Sequence, residues 1–202
     1  MRKALAGRKL DLLVDLGTGT GRILELFADR YARGLGIDAN HAMLAYARSR
    51  LGQQGHVNAQ VRQGDIYSLA LADGSAGAVV MHQVLHFLSD PARAIREAAR
   101  VLEPGGELLI VDFAPHECEF LREKYAHDRL GFAGNTIESW VREAGLEPVG
   151  VQELPPPASD AGAGLTVSLW VARKRGGPGR QQSKPAVAGT FVNAEQSYDP
   201  ER

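Results

Sequence analysis

The stretch DLGTGTGR, Asp15 to Arg22, sets three glycines at alternate positions between the apolar run LDLLV and a helical pattern. Backbone bare of side chains at such a turn lets a nucleotide-like ligand lie directly against amide groups. Two more acids end the next strand-like runs, Asp38 in GLGID and Asp65 in QGDI. A carboxylate at the first of these positions can accept hydrogen bonds from both hydroxyls of a ribose. One at the second can accept from the exocyclic amine of an adenine, with Ile66 beside the ring and Met43, on the helix after Asp38, over its other face. Each acid alone also fits an ordinary strand-end cap, and Met43 alone fits a core. Their recurrence at successive strand ends, on the edge where ligands bind, gives the pattern its weight.

The glycine turn is not a dinucleotide fingerprint. That motif needs a third small residue so that the helix can pack closely, and here the position holds Arg22 or Leu24, depending on register. No G-K-[ST] follows, so a phosphate-cradling Walker loop is excluded as well. His82 and His86 in HQVLHF are four residues apart, which predicts one shared helix face after the fourth strand. The spacing suits a metal, but no third ligand accompanies it, and the HEC run at His116–Cys118 is poorly spaced for one. No metal site is expected.

The elements that must hold these residues alternate. LDLLVDL, GLGID, VNAQVRQGD, AGAVVMH and ELLIVDF read as buried strands. The first intervening helix is expected over GRILELFADRYA, with Ile23, Leu24, Phe27 and Tyr31 on one face. The second is expected over ANHAMLAYARSRL, with Met43, Leu44, Ala47 and Leu51 at helical spacing. DPARAIREAARVL is a third, with Pro91 suited to its first turn. After EPGG turns into the fifth strand, TIESWVREAGL predicts a helix capped by Thr136. EPVGVQEL and LTVSLWVARK follow with no helix between them, so they should pair as an antiparallel hairpin. The expected fold class is α/β: a doubly wound, seven-stranded mixed sheet of five parallel strands plus a C-terminal antiparallel hairpin. From Gly176 periodicity is lost and Gly, Pro, Ser and Gln dominate, so one domain over 1–175 and a disordered tail over 176–202 are expected.

Composition narrows the function classes. A net charge of −1 over 202 residues leaves no electrostatic footprint for nucleic acid or an anionic membrane. No apolar run reaches the ~18 residues of a membrane span, and no signal peptide is visible. The single cysteine, Cys118, rules out an intrachain disulfide and points to a reducing, cytoplasmic setting.

Taken together, VDLGTGTG, GIDAN, QGDI, VVMHQVLHFLSDP and LEPGGELLIVDF resemble the successive motifs of class I S-adenosylmethionine-dependent methyltransferases, over roughly Leu10 to Arg173. The resemblance implies a Rossmann-like sheet with its last strand inserted antiparallel. It implies S-adenosylmethionine as cofactor and S-adenosylhomocysteine as product. Asp15, Gly17, Gly19 and Gly21 would surround the methionine end, with Thr18 in the same loop. Ala39 would belong to the ribose-binding loop beside Asp38, and His82 would reach the cofactor edge of the pocket. The partner implied is a small-molecule methyl acceptor. No nucleic acid is contacted by this chain itself, no membrane is involved, and a homodimer stays open.

HECEFLREKYAHDRLGFAGNTIESWVREAGL is similar, more narrowly, to the methyltransferase-like half of bacterial ArsR-type regulator fusions. About ten residues precede the first strand, where those proteins carry a winged-helix half, so a fragment or a displaced start is expected. Arsenic methylation would want several cysteines and is excluded by having one. Methyl transfer obliges no particular catalytic residue, and none is assigned. His86 is a candidate general base for a hydroxyl or amine acceptor, and a packing histidine otherwise. Most charges between Phe113 and Asn135, including His116, Glu117, Tyr125, His127, Asp128 and Arg129, are expected on a solvated helix face, with one or two lining an acceptor pocket. The leading reading is an enzyme that methylates a small molecule. The alternative is a non-catalytic domain that senses the same cofactor for a transcriptional regulator.

Overall fold

In the computed structural model, placement is described for Met1, Leu5, residues 9–156 and residues 164–176. The strands are β1 (Leu10–Leu16), β2 (Tyr31–Asp38), β3 (Ala59–Gln63), β4 (Ala76–His82), β5 (Leu102–Phe113), β6 (Leu146–Leu154) and β7 (Val167–Lys174). They form one sheet in the order β3-β2-β1-β4-β5-β7-β6. The first five pair in parallel, and β7 lies antiparallel between β5 and β6. The expected seven-stranded mixed sheet is therefore the one observed. Strand order reverses between β1 and β4, and the crevice at the carboxyl ends beside such a reversal is where open α/β sheets bind ligands.

Helices cover both faces, which is why β1 and β4 are apolar on both sides. On one face Leu12, Val14, Leu16, Val79, Met81 and Ile110 pack against α3 (Pro91–Val101) and α5 (Gly134–Glu143). On the other, Leu13, Ala78, Val80, Leu109 and Val111 pack with α1 (Arg22–Leu26) and α2 (His41–Gln53). Local chemistry fixes the helix starts. The Asn40 side chain accepts from the Ala42 and Met43 amides, and Asp90 accepts from Arg93 ahead of Pro91. At the far end of α3, Lys174 Nζ donates to the carbonyls of Ala99 (2.7 Å), Arg100 (3.2 Å) and Leu102 (2.8 Å), tying β7 to that terminus. Among the described residues no helix is long and apolar enough to cross a membrane.

Three local expectations are corrected. The first helix stops at Leu26, and Tyr31 opens β2 instead of sharing the helical face. Its pairing with Leu10 across the sheet outweighs the helical spacing, and its hydroxyl donates back to the Leu24 carbonyl at 2.8 Å. His82 and His86 do not share a helix, because His82 ends β4 and His86 sits in a single 3-10 turn, Leu85–Phe87. Gln83 between them has φ 54°, a left-handed conformation that breaks any continuous helix. Thr136 does not cap α5, which begins at Gly134 with Ala133 in the capping position. Phe132 is buried against Trp140, and its amide is bound to the Phe113 carbonyl; this anchor starts the helix earlier than its side-chain signals indicate. Among the described residues a short helix, α4 (Phe120–Tyr125), completes the set. The tail expected from Gly176 lies, beyond that residue, outside the described residues.

Candidate functional site

The carboxyl ends of β1, β2 and β3 bring the glycine turn and the strand-end acids to one edge. Gly17, Gly19 and Gly21 have φ of 73°, 50° and 77°. At Gly17 a side chain would also collide with Val84 of the β4 loop, whereas at Gly19 nothing stands within 4 Å of where a Cβ would be. The turn is thus packed beneath and open above, which lets a ligand approach its backbone closely.

Asp15 lies under this turn, 1% exposed. One oxygen accepts from the Thr18 hydroxyl at 2.6 Å, while Oδ1 is buried with no partner. Burial pushes the Asp15 carboxyl up to about 7; the Thr18 hydrogen bond opposes that rise and the Asp38 charge adds to it. Thr18 is itself buried and spends its hydroxyl on Asp15.

Asp38 bridges the two loops of the edge. Its oxygens accept from the Gly19 and Asn40 amides, each at 2.8 Å. Ala39 is exposed beside it, and Met43 on the first turn of α2 is 44% exposed. At the end of β3, Asp65 is exposed, accepts from the Tyr67 amide at 2.8 Å and bridges to Ser68. Ile66 is half-buried against the core, and a cavity lined by Ile37, Gly64, Asp65, Ser68 and Leu69 opens alongside.

His82 follows on β4. Burial lowers its pKa, partly offset by the Asp112 charge, so it is read as neutral. His86 is 2% exposed and its Nδ1 lies 2.7 Å from Asp112 Oδ1. Asp112, fully buried at the end of β5, also accepts from the Leu85 and Phe113 amides at 3.0 and 2.8 Å. Sequence reasoning missed Asp112, although an acid ending an apolar strand is the same signal that marked Asp38 and Asp65. Of the charged segment after β5, Glu117, Tyr125 and Asp128 are exposed while His127 is buried against His86, their ring centroids 4.1 Å apart. Burial lowers the pKa of both His116 and His127.

A family described as a methyltransferase domain matches residues 14–110. The chain is 32% identical over 160 residues to the ubiquinone biosynthesis O-methyltransferase of Pseudomonas aeruginosa, covering 72% of this chain and 67% of that protein. It is 33% identical over 132 residues to the methyltransferase YcgJ of Bacillus subtilis, covering 65% of this chain and 52% of YcgJ. The YcgJ crystal structure superposes with a TM-score of 0.72 at 22% identity, over 87% of this chain and 96% of that one. An S-adenosylmethionine-dependent methyltransferase from Mesorhizobium loti superposes with a TM-score of 0.70 at 20% identity, over 85% of this chain and 95% of that one. The chain spans about half the length of several curated relatives that it matches, 46% of one and 52% of another. On the sheet order, the glycine edge and these likenesses together, the chain belongs to the class I S-adenosylmethionine-dependent methyltransferases.

Proposed function

We propose that the protein transfers a methyl group from S-adenosylmethionine to a small-molecule acceptor, with the cofactor seated along the carboxyl edge of β1, β2 and β3. The observation that carries this reading is Asp15, whose buried, unpartnered Oδ1 lies beneath an open glycine turn. The methionine end of the cofactor carries an ammonium group, the chemical complement of that atom. A cation at Oδ1 supplies the missing partner and draws the carboxyl into its ionised form.

The other residues fit the same group. Gly17, Gly19 and Gly21 give the backbone wall. Asp38 accepts one protein hydrogen bond at each oxygen, which leaves lone pairs for two ribose hydroxyls. Ala39 lies beside it, Asp65, Ile66 and Met43 enclose the adenine, and His82 lines the β4 side. Thr18 acts indirectly, by fixing Asp15. When bound, the cofactor supplies an electrophilic methyl group on a sulfonium. The work left to the chain is to orient the acceptor and exclude water, and orientation supplies ~7–11 kcal/mol in favourable cases. A cytoplasmic setting is supported by the single cysteine.

The test is transfer of label. Protein incubated with methyl-labelled cofactor and a bacterial metabolite extract should move label into a small molecule and accumulate S-adenosylhomocysteine. Cofactor that binds while label stays in place would contradict turnover and is the result a regulator's sensing domain gives.

A further inference from the structure

Three crossovers of the parallel sheet carry a helix, but residues 64–75, between β3 and β4, hold only bends and turns. On that face α3 and α5 pack over β5, β6 and β7. Over β2 and β3 the same face is covered only by the 64–75 connection, and a cavity of about 290 Å³ lies beneath it. Strand register sets its walls. Arg33 stands beside Leu12, and Leu35 beside Gln60, with Arg62 two residues on. Side chains alternate along a strand and match across neighbours, so these five share one face. Leu12 and Leu35 are buried and form an apolar floor, and half-buried Leu71 closes over it.

The walls are held in place without a ligand. Arg100 donates to the carbonyls of Leu69 and Leu71 at 3.0 and 2.9 Å and pairs with Glu97, which fixes the connection. The Asn58 side chain donates to the Tyr31 carbonyl at 3.2 Å, which fixes the entry to β3. A preformed cavity binds without ordering its own walls. Its charge is one-sided. Arg33 and Arg62 are exposed at the rim, and no acid lines the cavity. Among the described residues neither guanidinium makes an ion pair. Arg33 is level with Asn58, and Arg62 is four residues farther along, about 13 Å at the rise of a strand. A cation therefore stands at each end of the apolar floor.

We propose that this cavity is a second ligand site, separate from the cofactor edge, and that it takes an elongated dicarboxylate with an apolar middle. Arg33 receives one carboxylate and Arg62 the other, each through the paired hydrogen bonds that a planar guanidinium offers. Leu12, Leu35 and Leu71 take the apolar body out of water. The exposed Gln60 amide adds a polar contact at the open side. None of the lining residues opens a helix, the arrangement that favours a phosphate, so carboxylate ends are the better match. The volume is that of a small-molecule pocket at the lower limit of size. The cavity beside Asp65 shares Leu35, Arg62 and Leu71 with this one. The occupant thus lies next to the adenine side of the cofactor seat without entering it.

The probe is naphthalene-2,6-dicarboxylate, titrated by calorimetry into the full chain at physiological salt. One equivalent should bind, and saturating S-adenosylhomocysteine should not displace it. Arg33→Gln and Arg62→Gln should each weaken it about tenfold, the loss of one charge-assisted contact. The monoacid 2-naphthoate, which can meet only one guanidinium, should bind weaker by a similar factor. Arg48→Gln, on α2 across the sheet, should leave the affinity unchanged. Methyl NMR of the unaltered protein should show shifts at Leu12, Leu35 and Leu71 on binding. Absence of saturable binding, affinity that survives both cavity variants, or an equal loss in Arg48→Gln would each overturn the proposal. Displacement by S-adenosylhomocysteine would overturn it too, by placing the probe in the cofactor seat. The arginine variants and the methyl shifts report on this cavity whether or not the chain binds S-adenosylhomocysteine, so its failure and that of the methyl-transfer reading are told apart.

Discussion

Asp15→Asn separates what this site does for binding from what it costs the fold. The carboxyl is raised from its ordinary 3.8 to about 7, chiefly by burial. A raised carboxylate pKa means the native state holds a proton that the unfolded chain releases, so stability falls as pH rises from about 4 through about 7. Three units at ~1.4 kcal/mol each give ~4 kcal/mol of penalty, fully present above that window and absent below it. Asparagine removes the charge but weakens the bond to Thr18 and buries an amide in need of partners, a loss of ~1–2 kcal/mol. The first effect wins at pH 8 and the second at pH 4. At ~2–4 °C per kcal/mol for a chain of this size, Asp15→Asn should melt ~5–10 °C above the unaltered protein at pH 8 and slightly below it at pH 4. Calorimetric melts at the two pH values measure this directly. The same variant should bind S-adenosylhomocysteine ~10–100-fold more weakly at pH 8, the loss of a charge-assisted hydrogen bond worth ~1.5–3 kcal/mol. A melting difference of the same sign and size at both pH values would refute the argument from desolvation, and unchanged affinity would refute the role in binding.

Three substitutions test the frame around the site. Gly17→Ala forces a side chain onto Val84 at positive φ and should cost ~2 kcal/mol or more, read from the urea midpoint. Tyr31→Phe removes the hydroxyl that donates to the Leu24 carbonyl and should cost ~1–2 kcal/mol by the same measurement, with the fold unchanged by circular dichroism. Lys174→Met leaves three carbonyls at the end of α3 without their shared donor and should cost ~1–3 kcal/mol, with hydrogen exchange accelerating first in that last turn.

Much of the edge was legible because strands of a parallel sheet are buried on both faces and end abruptly. LDLLVDL, GLGID and AGAVVMH announce themselves by their mainly apolar character, and the acid that closes the apolar part of the first two, Asp15 and Asp38, marks their carboxyl ends. Asp15, Asp38 and Asp65 were therefore readable as neighbours in space. What could not be read was settled by distant partners. Tyr31 has helical spacing but pairs with Leu10, and the start of α5 is set by Phe132 against Trp140. The His86–Asp112 bond joins residues 26 positions apart in different elements, and the i, i+4 spacing of the two histidines drew attention to each other instead. The left-handed Gln83 that turns His86 away from His82 has no signal of its own, since glutamine is not a residue that favours positive φ.

The central claim is that the glycine edge holds S-adenosylmethionine, and titration calorimetry with S-adenosylhomocysteine tests it most directly. The unaltered chain should bind one equivalent. Asp38→Ala, which removes both the ribose acceptor and the bond to Gly19, should lose most of that heat while its melting curve stays cooperative. No binding to the unaltered chain, or undiminished binding by Asp38→Ala, would contradict the assignment.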